Sequence, residues 1–165
     1  MKKLLLIACC IMFAASAEAH RFSTSFVQIE SGEDHPQEFD WSWRIVEHDL
    51  AALAPFLVND DGELLPLDAL EAQPSEFVDL ISSALQFNAE CPVEVLPVVY
   101  ATREVYAGQE SVRIYGHGSC PLATLNEVRV NDFFSVIKDH KVIVEIGEAE
   151  QRGVLSAAES SWSVR

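Results

Sequence analysis

Apolar and polar residues alternate with a period of two through FDWSWRIV, putting Phe39, Trp41, Trp43 and Ile45 on one face and Asp40, Ser42 and Arg44 on the other. That pattern predicts a strand with one buried face, and its two tryptophans supply a large apolar anchor. An aromatic binding platform would use the same residues; core packing is the commoner use. The period then changes. Leu50, Leu53 and Ala54 recur at helical spacing over residues 47–56, and Pro55 with the turn residues behind it stops the run.

The remaining pattern is a series of short strands broken by turn residues. Residues 21–30 are β-branched and aromatic and read as a first strand, closed by Ser31, Gly32 and Pro36. A short helical turn is expected over 67–72. A helix follows over 75–87 with Phe77, Leu80, Ile81 and Leu85 on its apolar stripe. Residues 93–99 and 101–106 flank Pro97 and read as a strand pair or a bent edge strand. Ala107 and Gly108 turn the chain, and strands are expected over 111–115, 125–130, 142–146, 153–155 and 162–164. The sum is a mainly β chain: a β-sandwich, immunoglobulin-like or related, with a short helical insertion around residues 47–88.

The N-terminus changes where this fold starts. Lys2 and Lys3 precede an apolar run over 4–15 and then Ser16-Ala17-Glu18-Ala19, the pattern of a secretory signal peptide cleaved between Ala19 and His20. Twelve apolar residues are too few for a spanning helix, which needs about 20. A lipoprotein signal ending at Cys9 is the rival reading, with Leu6-Ile7-Ala8 ahead of the cysteine. Residues 1–19 are therefore assigned to the leader and 20–165 to a single extracytoplasmic β-rich domain, placed in the periplasm or secreted. Its 9 basic and 25 acidic residues repel phosphate backbones and anionic headgroups, so neither a nucleic-acid partner nor insertion of the mature chain into a membrane is expected.

Loss of the leader removes Cys9 and Cys10 and leaves Cys91 and Cys120. An even pair in an oxidising compartment reads as a disulfide, and no C-x-x-C spacing favours zinc. Two other places attract attention. Residues 57–68 align loosely with a calcium-binding loop around Gly62, keeping Asn59, Asp61 and Asp68 but carrying leucine at the first and ninth ligand positions; this reads as a turn retained without the ion. Cleavage after Ala19 would expose His20, whose α-amine and imidazole can together chelate copper or nickel. Of the other histidines, His48 and Asp49 are helix neighbours expected to face different ways. Asp139-His140 is expected to be a solvated turn, and His117 lies between two glycines. No nucleophile elbow and no glycine-rich phosphate loop occurs.

AHRFSTSF after the leader, FDWSWRIVEHDLAAL, the degenerate acidic loop, the two cysteines and a closing DHKVIVEIGEAEQRGVLSA follow one another in an order that resembles the extracytoplasmic N-terminal domain of HupE/UreJ-type membrane proteins. In that family, the resemblance implies, such a domain precedes transmembrane helices linked to nickel or cobalt uptake. This sequence carries no such helices, so only fold and location are expected to carry over. The functional expectation is a non-catalytic accessory or interaction domain whose partner is an envelope membrane protein, possessing no cofactor. The alternative is a periplasmic transition-metal-binding protein that holds copper or nickel through His20.

Overall fold

A computed structural model describes residues 23–32, 35–66, 74–88, 91–95, 101–147 and 151–164. Strand β1 (Thr24–Ser31) runs antiparallel to β2 (Phe39–Val46), and β2 passes directly into helix α1 (Glu47–Leu53). The helix has no side-chain N-cap, but Glu47 and Asp49 place carboxylates in its first turn, where the free N–H groups favour negative charge. It stops at Ala54 because Pro55 cannot continue it, and a 3₁₀ turn, Pro55–Leu57, follows. Helix α2 (Pro74–Ala84) buries Phe77, Ile81 and Ala84, a stripe at helical spacing. Then come β3 (Leu85–Gln86), β4 (Val93–Val95), β5 (Ala101–Tyr106), β6 (Gln109–Gly118), a 3₁₀ turn (Leu122–Thr124), β7 (Glu127–Val130), α3 (Phe133–Val136), β8 (Lys141–Ile146), β9 (Gln151–Leu155) and β10 (Ser161–Ser163).

The strands form two layers, as expected of a β-sandwich, and the layers are unequal. A seven-stranded sheet has the order β4-β6-β2-β1-β8-β9, with β5 also pairing β6, and a three-stranded sheet has the order β10-β7-β3. All pairs are antiparallel except β1 with β8. The inner face of the large sheet contributes Val27, Ile29, Trp43, Ile114 and Val144 to a single core. The opposing layer supplies Phe77 and Ile81 from α2, Val128 and Val130 from β7, and Phe133 from α3. Trp41 and Trp43 both lie in this core, so the tryptophan face of β2 packs rather than presenting a platform. Opposite Trp41 stands Gly116, and opposite Phe39 stands Gly118. A Cβ at Gly116 would fall 2.2 Å from the Trp41 ring and 2.0 Å from the Glu94 carbonyl oxygen, so only glycine lets the indole lie against β6.

Two features depart from the sequence reading. Helical structure is not confined to residues 47–88: α3 and the Leu122–Thr124 turn lie beyond it. A left-handed Asp132 (φ 51°) redirects the chain after β7, and one helical turn suffices to point Phe133 and Phe134 into the core. The helical turn expected over 67–72 and the residues around Pro97 lie outside the described residues. No described helix is long and apolar enough to cross a membrane.

Candidate functional site

The strongest concentration of chemistry lies inside the core, where β1, β2, α1 and the start of β8 meet. Alternation along β1 turns Ser25, Val27 and Ile29 inward, so a serine occupies a core position. Asp49 sits one residue before Leu50 on the buried side of α1, and His140 immediately precedes β8. Ser25 is 0%, His140 1% and Asp49 3% exposed. The His140 Nε2 atom is 2.9 Å from Ser25 Oγ, and its Nδ1 is 3.2 Å from Asp49 Oδ2. The first contact is a hydrogen bond. The second is an ion-pair distance outside hydrogen-bond alignment, and Nδ1 has no other partner. Trp43 Nε1 donates to Ser25 Oγ at 3.0 Å, and the Ser23 hydroxyl donates to Asp49 Oδ2. On the outer side of Asp49, the half-exposed His48 brings Nε2 to 3.2 Å from Oδ1.

Serine, imidazole and carboxylate in this order and at these distances have the arrangement of a nucleophile, a base and its orienting group. The surroundings give it a different chemistry. Ser25 Oγ is closed off from solvent and already accepts a hydrogen bond from the Trp43 indole, while the Phe133 ring packs on His140 with centroids 4.6 Å apart. No substrate atom can reach the hydroxyl without opening the core. The contacts tie the first strand to the first helix and to the entry of β8, and they pair the buried Ser25, Trp43 and Asp49 polar atoms while His140 Nδ1 keeps no hydrogen bond.

The sequence reading of these residues needs two corrections. His140 is not in a solvated turn: Phe133, Ser25 and Asp49 enclose it. His48 and Asp49 do differ in exposure, yet their side chains meet, because the imidazole folds back over the carboxylate. Ser25 carries no catalytic motif in the sequence; a serine at a core-facing strand position beside a buried tryptophan N–H is the signal that marks it.

The other predicted positions lie elsewhere. Cys91 and Cys120 form a disulfide with Cα atoms 5.8 Å apart, next to the Val93–Gly118 pair that joins β4 to the end of β6. Asn59 and Asp61 occupy a small hairpin closed by the Val58–Leu64 bridge. Asn59 Oδ1 accepts from the backbone N–H of Asp61 at 3.0 Å and of Glu63 at 2.8 Å, so this carboxamide folds onto its own turn. Gly62 supplies the positive φ that the turn requires. Ala19, His20 and Asp68 lie outside the described residues. His117 pairs with Glu94 across the strands at 2.7 Å. Among the described residues no three His, Cys, Asp or Glu side chains converge as a metal site would require.

A groove of about 540 Å³ runs between α1, the 59–63 turn and the tip of the β5–β6 hairpin. Arg103 lines it: Nε lies 2.8 Å from Glu47 Oε1, and Nη2 donates to the Leu64 and Leu65 carbonyls at 2.9 and 3.1 Å. This guanidinium staples the turn to β5. No protein-family model matches the chain, and no curated protein is similar enough to count as a relative.

Proposed function

We propose that the chain is an extracytoplasmic, non-catalytic domain that acts by contact with a membrane protein of the cell envelope. The observation that carries this reading is the sealing of Ser25, which turns the one serine, histidine and aspartate constellation among the described residues into a structural tie. The disulfide supports an oxidising compartment, since such bridges persist outside the cytosol. The leader pattern of residues 1–19 points to the same place. The resemblance to the HupE/UreJ-type N-terminal domain supplies the class of partner.

Expression of the full chain in a bacterium with two membranes tests the proposal. The expected result is a product released by osmotic shock that begins at His20, lacks two hydrogens for the bridge, and cross-links stoichiometrically to an integral membrane protein. A chain held in the cytosol with both thiols free overturns it, as does release without any membrane-protein cross-link.

A further inference from the structure

On the outward face of the seven-stranded sheet, Tyr106 and Glu104 of β5 reach back over Phe26 and Arg44, and the charges are sorted along the strand direction. Strand register sets Val154, Ile143, Phe26 and Arg44 side by side across β9, β8, β1 and β2. Tyr106 meets Phe26 edge-on at 5.3 Å, and the Arg44 guanidinium lies 4.1 Å over the Tyr106 ring. Val154 is 50% and Tyr106 40% exposed. This end of the face is rich in cations: Arg44 and Arg113 share the single Glu104 carboxylate, and the exposed Lys141 has no described partner.

The other end is acidic. Glu30, Asp40, His117 and Glu94 form one unbroken cross-strand row over β1, β2, β6 and β4. His117 is taken up by Glu94, and the directly opposed carboxylates of Glu30 and Asp40 have no described cation between them. Like charges facing each other across a strand pair are unfavourable, and a partner that brings cations relieves them.

We propose that two copies of the chain meet on this face, sheet on sheet, about a twofold axis that lies in the interface and crosses the strands obliquely near Phe26, so that Lys141 of β8 in each copy faces Asp40 of β2 in the other. That operation lays the cationic end of each copy over the acidic end of the other, twice, with Phe26 and Ile143 near the centre. A twofold contact is self-complementary and closes at two subunits. Charge complementarity selects this occupant. With a net charge of −15, two copies repel one another over most of their surfaces, and here each copy offers positive charge to the other's negative. Aromatic and arginine side chains at the centre suit a protein interface. The inference is independent of the membrane-partner reading above.

Sedimentation equilibrium of the oxidised mature chain tests it, over loadings up to about 200 µM in moderate salt. The expected result is concentration-dependent approach to twice the chain mass. Lys141→Glu alone and Asp40→Lys alone should each weaken association by roughly tenfold or more, and their equimolar mixture should recover it, because both contacts then pair opposite charges. Recovery in the mixture also shows that neither variant is merely misfolded. A monomer at every loading overturns the proposal. So does association that the single variants leave unchanged, or that the mixture fails to restore.

Discussion

A buried polar group costs the fold most when its partner is taken away. Asp49 receives the Ser23 hydroxyl and faces two imidazoles, so Asp49→Ala takes the acceptor from Ser23 and the carboxylate from beside His140 Nδ1 inside the core. Removing a partner that several buried polar groups share costs about 3 kcal/mol, and urea unfolding of the variant should show a loss of that size. Ser25→Ala is milder: it orphans the Trp43 indole N–H and His140 Nε2, for an expected loss of about 1–3 kcal/mol in the same measurement. These residues were the least legible in the sequence. Ser25 and His140 are 115 positions apart, and nothing local to Asp139-His140 distinguishes an enclosed imidazole from a solvated one. Trp41 and Trp43 were legible for the opposite reason, because alternation within eight residues fixes their common face.

At the scale of elements, two connections carry measurable stability. The bridge between Cys91 and Cys120 spans 29 positions, and closing such a loop in the unfolded chain is worth about 3–4 kcal/mol in the chain-entropy model. Chemical denaturation with and without reductant should differ by that amount. The β5–β6 turn places Ala107 at φ 50° and Gly108 at φ 77°, the left-handed pair that favours asparagine followed by glycine. Ala107→Asn should therefore raise stability by up to about 1 kcal/mol, read as a higher urea midpoint at unchanged slope. A lower midpoint would mean that the turn is held by something other than its backbone preference. Most strands could be placed from alternation and turn residues. Helix α3 could not, since four residues are too few to display a helical period, and its position follows from the bend at Asp132.

At the scale of the whole molecule, the sequence revealed a mainly β sandwich, but not the division into seven strands against three. That division depends on the parallel pairing of β1 with β8, whose partners lie more than a hundred positions apart and leave no mark on local pattern. The layout has a functional consequence. By drawing β1, α1 and the entry of β8 to one point, it assembles residue types suited to hydrolysis in a place closed off from solvent. Labelling with a fluorophosphonate, read by intact mass, examines that consequence directly. The native oxidised protein should keep its unmodified mass throughout, and generic ester hydrolysis should be the same for the wild type and for Ser25→Ala. A stoichiometric adduct on Ser25 in the folded wild type would contradict it and make the buried contact chain an active site.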